Sequence, residues 1–271
     1  MVYNLPLKQM ITPIKQENYG TPWRRDELIL AFDLYCRIPF KKTKANNPAV
    51  IQLANLLKRS PASIARKLGN MGSLDPELSK QKVSGLSHSS KLDREIWAEF
   101  HNDWNQLVAE AEHLKNELGR TSATNIEIQT DVDRPIGPSE KITPQKLRLH
   151  QSFFRDAILS SYENTCCITG LRVKECLMAS HIIPWSVSEE HRTDPRNGLC
   201  LSATFDRLFD RGLITITNQL RILVSSVLLD SEDRKTNDMI SFYHGAEIIK
   251  PQKFLPMETY LEWHQRNIFN E

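Results

Sequence analysis

Residues 119–145, GRTSATNIEIQTDVDRPIGPSEKITPQ, constrain the fold of this chain more than any other stretch. They carry no helical periodicity, and Pro135, Pro138 and Pro144 each lack the N–H that a helix interior or a central strand requires. Such a stretch reads as an extended linker. The sequence therefore predicts two folding units, 15–118 and 146–271, within a length of 271 residues that suffices for two modest cores.

The first unit reads as helical. Pro22-Trp23-Arg24-Arg25 opens a helix whose apolar face is Leu28, Leu30, Ala31, Leu34 and Tyr35. Asn47-Pro48 and Ser60-Pro61 are start signals for two short helices, the second ending near Gly69. The stretch 91–118 reads as one long helix with Ile96, Phe100, Trp104, Leu107 and Val108 as its buried stripe. The two short helices resemble a helix-turn-helix, and charge agrees with that reading. Residues 34–74 hold eight bases and no acid, followed by thirteen acids against seven bases over 75–140. A basic block inside a chain of net charge +2 suggests a local polyanion contact. The expected DNA contacts are Lys58, Arg59, Arg66 and Lys67; a small helical packing module with solvated basic side chains gives the same pattern.

Other classes are disfavoured. No apolar run approaches the roughly 18 residues of a membrane span, so no membrane partner is expected. The start, MVYNLPLKQM, lacks the apolar core of a secretory signal. The five cysteines, odd in number and including the adjacent pair Cys166-Cys167, do not form a disulfide framework, which points to a reduced cytoplasmic protein.

The second unit begins with an amphipathic helix over 147–162, followed by a strand ending at His181 and a polar loop leading to Asn197. Ser202 is placed to cap a short helix and Gly212 to end it in the left-handed conformation. A hairpin follows over 213–228 and a last helix over 251–269. Asp206 and Asp210 lie one turn apart on the short helix, where like charges repel by roughly 0.2–0.5 kcal/mol. A bound Mg²⁺ or Mn²⁺ would turn that penalty into an attraction. With His181 as a base active near neutral pH and Asn197 to hold the loop around it, these groups supply what phosphodiester hydrolysis needs. His264 on the last helix is a second histidine, read as core.

The segment CCITGL…ASHIIPW…RNGLCLSATFDRLFDRGLI resembles the HNH endonucleases, whose ββα-metal finger carries a histidine, an asparagine and a metal-binding residue on the helix. The resemblance spans about 147–217. It implies an α+β protein in which His181 is the general base, Asn197 braces the finger loop and Asp206 binds one divalent metal ion. Asp210 stands where the colicin-type nucleases place a further ligand, and Arg155 on the preceding helix is a candidate phosphate contact. It further implies 5′-phosphate and 3′-hydroxyl products and a restriction-like role, and the helix-turn-helix arrangement favours double-stranded DNA as partner. A homodimer or two successive nicks would be needed to cut both strands. The sequence departs from the family at two places. Ser180 occupies the position before the base that is usually Asp or His. Of the two Cys-x-x-Cys pairs that hold a structural zinc in many relatives, Cys166 remains, with Thr169, Ser202 and Phe205 at the other positions. No structural zinc is expected, Phe205 is expected to fill that space, and Cys176 and Cys200 are expected to be buried. Two other functions fit the same residues: a non-catalytic DNA-binding regulator that keeps the finger as a fold, or an RNA-cutting toxin.

Overall fold

The computed structural model describes residues 18, 20–80, 89–121, 144–230 and 232–271. Most of the predicted linker, and the start of the first predicted unit, lie outside the described residues.

The N-terminal part is built around α1 (Arg25–Arg37), against which α2 (Pro48–Leu56), α3 (Pro61–Leu74), α5 (Lys91–Phe100) and α6 (Trp104–Thr121) pack; α4 (Pro76–Lys80) follows α3. Leu28, Ile29, Leu30, Phe32, Tyr35 and Cys36 are all buried, and so are Glu27 and Asp33, so α1 is enclosed nearly all round, as a central helix must be. The start signals act as expected. The Asn47 side chain accepts from Ala49 N–H at 2.8 Å, the Ser60 hydroxyl accepts from Ser63 N–H at 3.1 Å, and Pro48 and Pro61 open α2 and α3. Two expectations are corrected. Helix α3 runs through Gly69 to Leu74. The long helix expected over 91–118 is two helices, because Asp103 caps a new start by accepting from Gln106 N–H at 2.9 Å.

The C-terminal part opens with α7 (Pro144–Ser161), then β1 (Leu177–His181) paired antiparallel with β2 (Gly198–Ser202), which runs directly into α8 (Ala203–Asp210). His181 pairs with Gly198. A second antiparallel pair, β3 (Ile214–Ile216) and β4 (Ile222–Val224), leads through α9 (Ser226–Leu229) and α10 (Arg234–Ser241) to α11 (Glu258–Asn267), which packs on β3. Gly212 ends α8 with φ +67, as its position predicted. No described helix is long and apolar enough to cross a membrane.

The two parts are packed together. Phe153 and Ala157 of α7, and Phe254, are buried in the N-terminal core. The carbonyls at the end of α1 are met from the C-terminal part: Lys253 Nζ donates to the carbonyls of Tyr35 (2.6 Å), Cys36 (3.2 Å) and Ile38 (2.9 Å), and Ser160 Oγ donates to that of Cys36 (2.6 Å). A buried ammonium is favoured where unsatisfied carbonyls and the helix dipole concentrate negative charge. Burial nonetheless lowers the Lys253 pKa to about 8. Arg37 bridges Asp33 and Asp156 across the same interface at 2.9 Å each.

Candidate active site

The site is the β1–β2–α8 unit with the connection between its strands. His181 ends β1, half-buried, with its ring stacked on Phe154 of α7 (centroids 3.6 Å apart, planes at 9°) and edge-on to Trp185 at 5.5 Å. Its Nε2 lies 3.0 Å from the Arg192 carbonyl. A carbonyl only accepts, so the proton sits on Nε2 and the basic lone pair of the neutral ring on Nδ1. Arg192 is itself fixed: its Nε donates to the Trp185 carbonyl at 3.0 Å and its guanidinium lies 5.1 Å from the Trp185 ring centroid.

Asn197, 1% exposed, closes the connection. Its Oδ1 accepts from Ile183 N–H (2.8 Å), and its Nδ2 donates to the carbonyls of Ile183 and His191 (both 3.1 Å). Its own carbonyl accepts from Ile182 N–H at 2.9 Å, which prolongs the ladder past His181. Leaving such buried groups unpaired would cost about 1–3 kcal/mol each.

Helix α8 packs on both strands and carries the two aspartates into different settings. Asp206, in the first turn, is buried and favoured by the helix N-terminus, whereas Asp210, at the last position, is exposed. Among the described residues, no group of three or more His, Cys, Asp or Glu side chains is gathered as a metal site. Ser180 Oγ, on the strand beneath α8, is buried with no hydrogen-bond partner among the described residues. A buried carboxylate with an orphaned hydroxyl on the adjoining strand fits a hard divalent ion of the magnesium type. Such an ion typically takes one or two carboxylates and completes its shell with water and substrate phosphate. The zinc position fits no metal. Cys166 Sγ accepts from the N–H of Thr169 (3.4 Å) and Ser202 (3.1 Å), so these positions do converge, but with one sulfur. Burial holds the nearby Cys167 thiol well above the usual range and pushes that of Cys200 to about 12. Phe205 is buried edge-on to Tyr243. Cys200 is buried as expected, while Cys176 is exposed, a correction.

The remaining predicted contacts divide. Arg155, half-buried on α7, donates from Nη1 to the Leu177 carbonyl at 3.1 Å. Lys58 and Arg66 are exposed. Arg59 and Lys67 are corrected, because neither points to solvent. Arg59 makes a two-pronged bond to buried Glu27 (2.8 Å from both Nε and Nη2), and Lys67 Nζ meets buried Asp93 at 2.9 Å. Side chains committed to buried carboxylates are structural and do not reach a phosphate. His264 is core: its Nε2 donates to the Phe209 carbonyl (3.2 Å) and its Nδ1 accepts from Thr215 Oγ1 (2.9 Å). Sequence reasoning missed Trp185, Arg192 and Ser180 as parts of the site's frame. Trp185 and Arg192 flank a loop with no periodic signal, and Ser180 stands out in the sequence only as a departure from the family pattern.

Residues 166–217 match the family model described as HNH endonuclease. That segment is an HNH endonuclease domain, placed in the C-terminal part of the chain. Among solved structures, one described as a modification dependent TagI restriction endonuclease shares 16% identity at a TM-score of 0.28. The match covers 43% of this chain and 38% of that one, so the chain spans well under half of that enzyme's length. No curated protein matches the chain.

Proposed function

We propose that the chain is a divalent-metal-dependent endonuclease that hydrolyses DNA phosphodiester bonds, with His181 as general base. The observation that carries this reading is the setting of His181 within the HNH domain. The ring is half-exposed at a strand end, clamped on Phe154, and held through Nε2 in the tautomer that puts the lone pair on Nδ1. Nδ1 takes the proton from water as its oxygen bonds to phosphorus. The bond to the 3′ oxygen breaks, that oxygen takes a proton from solvent, and a 5′-phosphate remains. Asn197 keeps the loop closed so that the Arg192 carbonyl stays against the ring. Asp206 and Asp210 are the residues that would hold Mg²⁺ or Mn²⁺, which when bound stabilises charge on the phosphate and on the leaving oxygen. Exposed Lys58 and Arg66 supply backbone attraction to duplex DNA. Ser180 in place of an acidic or histidine ligand favours a second reading, a DNA-binding regulator that retains the finger without cleavage.

The test is cleavage of unmodified and methylated plasmid with Mg²⁺, Mn²⁺ or EDTA, comparing the native chain with His181→Ala. Metal-dependent cutting that disappears in the variant is the expected result. Binding by the native chain without cutting any DNA or RNA substrate under either metal would establish the regulator instead.

A further inference from the structure

The loop between β1 and β2 is held from outside by the N-terminal part. Residues 189–194 lie in no helix or strand, yet four successive carbonyls there each accept from a side chain. Asn105 Nδ2 donates to the carbonyls of Glu189 (3.2 Å) and Glu190 (3.3 Å), Asn197 Nδ2 to that of His191 (3.1 Å) and His181 Nε2 to that of Arg192 (3.0 Å). Directly after them, Thr193 Oγ1 donates to Asn105 Oδ1 at 2.7 Å. All three polar bonds of the Asn105 amide thus fall on this segment, two before Arg192 and one after it.

We infer that Asn105 is a positioning residue for His181: it fixes the Arg192 carbonyl, and through that carbonyl the tautomer of the histidine ring. This rests on the nuclease reading only for its effect on turnover. Asn197 cannot do the same work alone, because it ties the loop to itself. Asn105 refers the loop to an independent frame. It sits in the first turn of α6, beside Trp104, which is buried against Phe153 and Phe254, and α6 packs on α1. Tyr260 also reaches the loop from outside, but it meets side chains, the Asp194 carboxylate (3.0 Å) and His191 Nδ1 (3.2 Å), rather than the backbone around Arg192. With the bonds from Asn105 removed, the loop keeps its ties to Asn197 and Trp185 but loses its reference to the helical part, so the Arg192 carbonyl can shift relative to Nε2 and the neutral ring can place its proton on Nδ1, where it is useless as a base. Asn105 then contributes to catalysis without touching substrate.

The test uses the full-length chain with ¹⁵N-labelled histidine, in which long-range ¹H–¹⁵N spectra report the tautomer of each ring and His181→Ala assigns the His181 signals. The native chain is expected to show the Nε2-protonated form. Asn105→Ala should populate the Nδ1-protonated form and lower kcat about tenfold while KM changes by less than about twofold. Asn105→Asp, which keeps the acceptor for Thr193 but loses both donors, should behave like Asn105→Ala. Thr193→Val, close to isosteric, should shift both readouts the same way by less, and it decides the matter if the Asn105 variants fail to fold. An unchanged tautomer in Asn105→Ala and Thr193→Val overturns the inference, as does a changed tautomer with unchanged kcat or a fall in kcat without the tautomer shift. If the native chain cuts nothing, the nuclease reading falls while the spectra still decide whether Asn105 sets the ring.

Discussion

Gly198 is the position where one methyl group should disturb both stability and the candidate base. Its φ of −147 is ordinary extended backbone, so Gly198→Ala carries no conformational penalty and its cost is steric. A Cβ there would stand 2.4 Å from Ile158 Cδ1, 2.6 Å from Phe154 Cζ and 2.8 Å from Ile158 Cγ1. Carbon contacts settle at about 3.5–4.0 Å, so both side chains must retreat by roughly 1 Å. Overpacking of this kind costs about 1–3 kcal/mol. Phe154 cannot retreat alone, because the His181 ring lies flat on it at 3.6 Å. The assay is denaturant unfolding of a double-mutant cycle with Ile158→Val, which deletes the nearest obstructing atom. Ile158→Val alone should cost about 0.5–1.5 kcal/mol. In the Gly198→Ala background it should cost nothing or restore stability, a coupling of at least about 0.5 kcal/mol. Because Phe154 remains displaced, cleavage should stay depressed in the double variant while its stability recovers. Additivity within about 0.3 kcal/mol, or a Gly198→Ala penalty below about 0.5 kcal/mol, would refute the packing account.

Three further outcomes are expected. Arg59→Ala and Lys67→Ala should each destabilise the chain by about 3–5 kcal/mol, since Glu27 and Asp93 would be left as buried charges, whereas Lys58→Ala and Arg66→Ala should stay within about 0.5 kcal/mol and instead weaken DNA binding at low salt. Denaturation midpoints and salt-dependent binding isotherms separate the two classes. Burial holds the His264 pKa at about 4, below its value in the unfolded chain, so between roughly pH 6.5 and 4 the unfolded state binds the extra proton. Stability should therefore fall with pH across that window by about 3 kcal/mol, and unfolding of His264→Gln at the same pH values should show a flatter slope. Gly212→Ala should cost about 3 kcal/mol or more in denaturation, because φ is +67 there and a Cβ would lie 1.9 Å from the Ile268 carbonyl oxygen, which cannot swing aside.

What the sequence disclosed follows the range of the interactions. The strand ending at His181, the loop to Asn197 and the helix of Asp206 are local, and their spacing survives in the chain as a readable pattern, whereas the second strand is implied only by the family resemblance. The charges of the basic block are not local. Lys58 and Arg59 are neighbours in sequence, yet one is exposed and the other is buried against Glu27, 32 residues away. Lys67 likewise finds Asp93 at a separation of 26. Nothing in composition marks which lysine or arginine will meet a distant carboxylate, so a basic stretch overstates the charge it shows to solvent. The break between α5 and α6 was hidden for a related reason. Phe100, Trp104, Leu107 and Val108 all belong to one core, so the apolar period runs on across the interruption, and Asp103 was the only local sign of it.

The two histidines of the C-terminal part show why residue type and fold position do not by themselves make a base. His181 stacks on Phe154 at 3.6 Å, and His264 stacks on Phe209 at 3.7 Å; each presents Nε2 to a backbone carbonyl. Stacking and carbonyl therefore fix the ring and the tautomer equally well in both. The difference lies beyond the ring. His264 is 2% exposed and its Nδ1 is taken by the Thr215 hydroxyl, so its lone pair is spent inside the fold and water is excluded from it. His181 ends its strand at the surface, beside a loop whose backbone is held by Asn197 from within and by Asn105 from the helical part. A histidine placed to accept a proton from water needs a rigid frame on one side and solvent on the other. Of the two rings, His181 is the one that is only half-buried, which is what the proposed role as base requires.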